Sequence, residues 1–263
     1  MIKNKVKELL SKSLKKKLYT FFKPIINYYY NKGNKVSCII CKSQYRVFRS
    51  YGIDVRPNAL CVNCGSLERH RLIWSYIHNK TDLLKSGKKI KILHFAPEKF
   101  FYKLFDSCNH IDYFPCDIAP DIYNYKNGKT EVIKIDINHI EFNNNTFDFI
   151  LCSHVLEHIE DDKQAMKELL RVMKPDGYGI FLVPLDYSRE HTYEDFSIAS
   201  PEERLKAFKQ DNHVRIYGKD FKLRLENAGF KVNEESYAKT FTVEDIYKYG
   251  FEENEIIYHC SKT

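Results

Sequence analysis

The stretch FDFILCSHVLEHIEDDKQAMKELLRVMKPDGYGIFLVP, residues 147–184, reads as strand, loop, helix, turn and strand. Phe147 to Cys152 is an apolar run of strand length, preceded by turn-forming Asn143, Asn144 and Asn145. Asp161 or Asp162 caps the helix that follows, and Ala165, Met166, Leu169, Leu170 and Met173 fall on one of its faces. Lys174-Pro175-Asp176-Gly177 ends it, since proline cannot continue a helix and glycine accepts the positive φ expected next. Tyr178 to Val183 is a second buried strand. Parallel α/β sheets bind ligands outside the carboxyl ends of their strands, so the loop opening after Cys152 is a candidate site.

Working outward, strand-like runs recur at 90–95, 111–116, 131–135, 230–237 and 256–260, with helical patterns at 98–106, 201–209 and 218–228. Seven strands alternating with helices predict a mostly parallel sheet with right-handed crossovers, an α/β domain over residues 88–263. Residues 34–80 form a smaller module. Its pairs Cys38-x-x-Cys41 and Cys61-x-x-Cys64 are 19 residues apart, the spacing of a structural Zn2+ site in which two tight turns each supply two thiolates. Four thiolates leave no open position for catalysis. Ser66 is expected to cap the helix beginning in GSLERHRLIWSYI, where Leu67, His70 or Arg71, Trp74 and Ile77 share a side. His70 could replace a cysteine as ligand, but it reads better as a packed or substrate-facing residue.

The chain of 263 residues carries a net charge of +7, unevenly spread. Residues 1–35 hold ten lysines against Glu8 alone, a surplus of nine, so the rest sums to −2. Over residues 1–33, Val6, Leu9, Leu10, Leu14, Leu18, Phe21, Phe22 and Ile25 recur at helical spacing with lysines opposite. This basic amphipathic helix suits an anionic membrane surface, RNA, or packing on the protein or a second subunit. Without an apolar h-region or an apolar run of about 18 residues, the chain is expected to be cytoplasmic, at the inner membrane face if the helix meets lipid.

The words LEHI, ELLRVMKPDG and FLVP resemble the second half of a class I S-adenosylmethionine (SAM)-dependent methyltransferase of the type 11 group. HFAPE at 94–98, CGSLERHR at 64–71 and HVRIYG at 213–218 are similar to a subgroup that also carries the paired CxxC module. The resemblance implies a Rossmann-like seven-stranded sheet with an antiparallel last strand and SAM as cofactor. Its first loop is glycine-rich in most relatives. Here His94 stands in the acidic place, Phe95 follows, and Ala96 and Glu98 take glycine places. Glu98 is positioned to accept from the cofactor ammonium. Asp117, after the second strand, suits the ribose hydroxyls, with Asp121 as competitor. Asp136 matches the position that binds the adenine amino group, and Ile137 would lie against the ring. Ser153 and His154 form the floor beside the sulfonium, while Glu157 and His158 hold the loop.

Methyl transfer from a sulfonium chiefly needs alignment and exclusion of water, and a hydroxyl acceptor gains from a base. The loop at 184–195 offers Asp186 and His191; the segment at 210–218 offers His213 and Arg215. His191 or His213 is the expected base, with Asp186 and Arg215 on the substrate. The text CSHV replaces the NPPY or DPPY that marks amino-methylation, which favours an oxygen acceptor on a small molecule or glycan. The competing readings are an rRNA or tRNA methyltransferase using the zinc module and basic helix, and a non-enzymatic binding protein on a degenerate methyltransferase fold.

Overall fold

The computed structural model describes residues 32–125 and 128–262 together with Phe21, Phe22 and Ile25, so the basic N-terminal helix lies almost wholly outside the described residues. No described helix is long and apolar enough to cross a membrane. The chain divides into two compact units. One holds residues up to Leu72 and returns for Phe241–Glu253; the other holds Ile73–Thr240 and Asn254–Thr263.

In the small unit, strands β1 (Val36–Ser37) and β2 (Gln44–Tyr45) form one antiparallel pair, and β3 (Arg49–Tyr51) and β4 (Arg56–Leu60) form another. Helix α1 (Glu68–Lys80) begins here. Its start is closed by His70, whose Nδ1 accepts from the Leu67 N–H at 3.0 Å. That is the reciprocal half of a capping box, in which a third-position side chain reaches back to the cap backbone. The cap position is thus Leu67 rather than Ser66, and His70 is not among the four residues of the sulfur cluster. Arg71 is fully buried and donates to the carbonyls of Ala59 (2.9 Å), Ser66 (2.8 Å), Tyr249 and Gly250 (2.6 Å each). One cation thus ties the second CxxC turn to residues 249–250, which explains why 241–253 fold with this unit.

The large unit is built on seven strands: β5 (Ile90–Phe95), β6 (Ile111–Asp117), β7 (Ile133–Lys134), β8 (Phe147–Ser153), β9 (Met173–Leu182), β12 (Phe230–Glu235) and β13 (Ile257–Lys262). A short pair, β10 (Tyr193–Glu194) and β11 (Arg215–Ile216), lies outside the sheet. The sheet order is β12-β13-β9-β8-β5-β6-β7, with β13 antiparallel to both neighbours. The sheet is Rossmann-like, as expected. Strand order reverses beside β5, so the switch point lies at the carboxyl ends of β5 and β8.

Helix α2 (Lys99–Ser107) buries Phe100, Phe101, Tyr102 and Phe105, and α3 (Asp162–Val172) buries Ala165, Met166, Leu169 and Val172. Asp161 caps α3, accepting from the Gln164 N–H at 3.0 Å. Helices α4 (Pro201–Phe208), α5 (Phe221–Asn227) and, in the small unit, α6 (Val243–Tyr249) complete the set.

After α3 the chain turns directly into β9, so Met173 is a strand residue. Phe147 pairs with Met173 and Phe149 with Tyr178, leaving Lys174–Gly177 bulged opposite Asp148. Gly177 does not adopt the positive φ expected of it. It is needed because a Cβ there would lie 2.9 Å from the Phe147 carbonyl oxygen and 3.0 Å from that of Asp148. Gly177→Ala should therefore cost about 1–3 kcal/mol by overpacking against backbone, read as a lower chemical-unfolding midpoint with the fold retained.

Candidate active site and metal centre

Ala96, directly after β5, takes φ +48, and its N–H donates to the Cys116 carbonyl at 3.0 Å. A left-handed alanine costs on the order of 1 kcal/mol. It lets the turn do without the usual glycine while keeping the side chain to one methyl group. His94 points away from the turn. It is fully buried, with Nδ1 2.8 Å from the Tyr113 hydroxyl and Nε2 3.0 Å from Glu98 Oε2. It therefore orients Glu98 rather than meeting cofactor. Phe95 is likewise a core residue.

Asp117 ends β6 in an open position. Its Oδ1 accepts from the Ala119 N–H (2.8 Å) and its Oδ2 from the Tyr123 hydroxyl (2.7 Å). A carboxylate has about four lone-pair sites, so both oxygens retain capacity for a diol. The Asp117 carboxylate and burial together push the Tyr123 phenol up, burial more strongly, which keeps the hydroxyl a donor. Asp136 is exposed, with Oδ1 fixed by the Asn138 N–H at 2.8 Å. Ile137 is only 3 % exposed and packs in the core, so Ile118, 58 % exposed beside Asp117, is the better apolar face for a ring. Asp121 is exposed on a short 3-10 turn.

Ser153 closes β8. It is buried, and its Oγ has no hydrogen-bond partner among the described residues. Buried hydroxyls are nearly always bonded, so an orphan at the carboxyl edge of the sheet fits a site completed by a polar ligand. The buried Asn138 Oδ1 is in the same condition. Sequence pattern had singled out Ser153 but not Asn138, which follows Asp136 by two residues.

His154 has φ +56, and its N–H donates to the Leu182 carbonyl at 2.8 Å. Its Nδ1 lies 3.3 Å from Oε1 of the buried Glu157. His158 Nε2 and His213 Nε2 lie 4.0 and 3.9 Å from the same oxygen. Burial raises the Glu157 carboxyl, but the neighbouring imidazoles outweigh it and hold the group below the usual range. Burial lowers His213 to about 4. Glu157 and His158 are thus part of a four-residue constellation, not only a loop support. The His-x-x-Glu-His spacing carried that signal, because residues three and four apart share one side of a helical turn.

The segment 213–218 holds this turn. Arg215 is 1 % exposed; it donates to the carbonyls of Leu156 (3.0 Å), Ile159 and Glu160 (2.8 Å) and pairs with Glu194 at 2.8 Å. Its nitrogens are all engaged, so it is a clamp and not the substrate-orienting cation expected. The Tyr217 hydroxyl donates to buried Asp162 at 2.7 Å, and Arg224 meets both oxygens of that carboxylate. Asp186 is spent locally, accepting from Ser188 and pairing with Arg189 at 3.2 Å. His191 is exposed in the same loop, apart from the Glu157 constellation.

In the small unit, the sulfurs of Cys38, Cys41, Cys61 and Cys64 all lie within 4.8 Å of one another. Cys38–Cys64 and Cys41–Cys61 are each 3.6 Å apart. A tetrahedral ion with Zn–S bonds of about 2.3 Å separates its sulfurs by about 3.8 Å, so the donor set fits. The two turns are built alike. The Lys42 and Gly65 N–H groups donate to the carbonyls of Cys38 and Cys61, at 2.8 and 2.9 Å. Both residues have positive φ, and each turn continues with a serine whose Oγ lies 3.2–3.4 Å from a cysteine sulfur. Hydrogen bonding from Cys61 and Cys64 lowers the Cys38 thiol, while Cys61 is pushed up to about 11 chiefly by Cys38. Full ionisation of the four requires a cation.

Residues 99–181 match the family model for a methyltransferase domain. An uncharacterized protein of Methanocaldococcus jannaschii is 34% identical over 119 residues, 44% of this chain and 51% of that protein, so the chain spans about half the length of the curated relative it matches. Among solved structures, an S-adenosylmethionine-dependent methyltransferase from Mesorhizobium loti superposes with a TM-score of 0.51 at 11% identity, covering 72% of this chain and 96% of that one. The YcgJ protein of Bacillus subtilis gives 0.50 at 12% identity, covering 74% and 99%. At such identities the likeness establishes the fold. With the strand order, it gives the large unit the class I methyltransferase fold.

Two substitutions test these assignments. Arg215→Met should destabilise the protein by about 3 kcal/mol or more, since it strands the buried carbonyls of the turn at roughly 1–3 kcal/mol each, while Glu194 keeps Arg224 at 3.2 Å; denaturant unfolding measures it. Cys61→Ser should abolish stoichiometric zinc and lower the small unit's resistance to proteolysis, whereas a wild type purified without zinc would refute the metal assignment.

Proposed function

We propose that the protein transfers a methyl group from SAM to an oxygen acceptor on a small-molecule or glycan-type substrate. The observation that carries the reading is the orphaned Ser153 hydroxyl, buried at the carboxyl end of β8 between the open edges that present Ala96 and Asp117 on one side and the Glu157 constellation on the other. Asp117 would hold the ribose diol, Asp136 and Asn138 the adenine edge, Ile118 the ring face, and Glu98, held by His94, the ammonium. Bound SAM supplies an electrophilic methyl on a sulfonium, an excellent leaving group. The chain's part is to align the acceptor, exclude water and receive its proton.

His213 is favoured over His191 as proton acceptor. It lies beside Glu157, whose carboxylate opposes the burial that lowers it to about 4 and would stabilise the imidazolium once formed, while His191 is exposed. The CSHV text at the end of β8 lacks the proline pair of exocyclic-amine enzymes, which supports oxygen over amino nitrogen.

The test has two parts. Asp117→Ala should weaken SAM binding tenfold or more by calorimetry, the scale of a charged hydrogen bond of about 1.5–3 kcal/mol; unchanged affinity would remove Asp117 from the site. Methyl-labelled SAM offered with hydroxylated sugars and with structured RNA should label the sugars in a linkage stable to mild alkali, as an ether is. Label in RNA, falling steeply with salt, would replace the glycan reading with the nucleic-acid one.

A further inference from the structure

The buried Glu157 carboxylate has no hydrogen bond to either oxygen among the described residues. It is 1 % exposed and faced by three imidazoles. His154 Nδ1, at 3.3 Å, is the nearest. His158 and His213, at 4.0 and 3.9 Å, are beyond hydrogen-bond range of the carboxylate. The ligand atoms of Glu157, His158 and His213 nonetheless lie within 4.8 Å of one another.

His158 Nδ1 is 3.1 Å from the Asn212 carbonyl, so Nδ1 carries a hydrogen and, in the neutral ring, Nε2 presents a lone pair toward Glu157. A cation between that lone pair and the carboxylate would be held by both. Donation of the distal N–H to a backbone carbonyl is also how metal-binding histidines are held in register. Bonds of about 2.0–2.2 Å to imidazole nitrogen and carboxylate oxygen span donor pairs at these separations.

We propose that Glu157, His158 and His213 form a second metal site, for a borderline first-row divalent cation of the Zn2+, Mn2+ or Fe2+ kind, with His154 flanking it. The preference follows from the donors: imidazoles with one carboxylate and no thiolate. The backbone is shaped for it. His154 is held at φ +56. The Val214 N–H donates to the Glu157 carbonyl at 2.9 Å, and the Arg215 clamp fixes the turn from behind. One side stays open, where the His154 and His158 side chains are 22 % and 31 % exposed. A cation there retains free coordination positions, in the loop that follows Ser153 at the end of β8. Resting on the methyl transfer proposed above, but with His213 as ligand in place of its role as base, it would bind the acceptor hydroxyl and lower its pKa as a Lewis acid, so that the proton passes to solvent.

The full-length protein, saturated at its thiolate site, would be titrated with Zn2+ against a chromophoric chelator, alongside Glu157→Gln and His213→Ala. The wild type should take up one more equivalent than either variant, with the variants' affinity for that ion reduced at least tenfold. SAM affinity and thermal unfolding, measured on the same samples, show whether each variant is folded. If Glu157→Gln does not fold, the smaller His213→Ala change decides. Uptake that stops at the thiolate equivalent in the wild type, or an extra equivalent retained by folded variants, overturns the site. Extra metal without SAM binding would instead keep the site and overturn the proposed function.

Discussion

The buried guanidinium of Arg215 is the constraint on which the site depends. A charge with no solvent must be satisfied by fixed dipoles and a counter-charge. Here the carbonyls of Leu156, Ile159 and Glu160 and the Glu194 carboxylate supply them. Those carbonyls belong to the turn after β8, so satisfying Arg215 fixes that turn. The turn in turn presents Ser153, His154, Glu157 and His158 at the edge of the sheet. Asp162, held by Tyr217 and Arg224, anchors the start of α3 to the same segment. One stretch far along the chain thereby sets the geometry of a loop some sixty residues earlier.

The small unit repeats the device. Arg71, with Phe48 stacked 4.2 Å from its guanidinium carbon, gathers carbonyls from Ala59, Ser66, Tyr249 and Gly250. Gly250 sits at φ +59, and a Cβ would lie 2.7 Å from Arg71 Nη2 and from Phe48, so this position requires glycine for both conformation and space. The sulfur cluster joins the two CxxC turns and the arginine ties the second of them to residues 249–250, which suits a module too small to rest on apolar burial alone.

Much of the fold was legible because its signals are local. Apolar runs of strand length gave the sheet, and paired CxxC words gave the thiolate cluster. The site was less so. Ile137 and Phe95 lie in positions that face a ligand in the pattern, yet the core takes them; which side of a strand is covered depends on packing that spacing does not report. The resemblance places His94 in the first loop's acidic position and Arg215 in the HVRIYG segment, but both are satisfied by partners distant in sequence, Tyr113 for one and the 156–160 carbonyls for the other. The Gly177 requirement comes from a bulge against β8, a tertiary contact that mimics a turn signal. Glu157 was set aside as loop support, and only the approach of His213 from another part of the chain shows its surroundings.

The central claim is that the carboxyl edge of this sheet, despite its glycine-poor first loop, is a working SAM site. Calorimetric titration of the zinc-loaded protein with SAM and S-adenosylhomocysteine tests it most directly. The account predicts one site per chain with micromolar affinity for both. Folded, zinc-loaded protein that binds neither would contradict it.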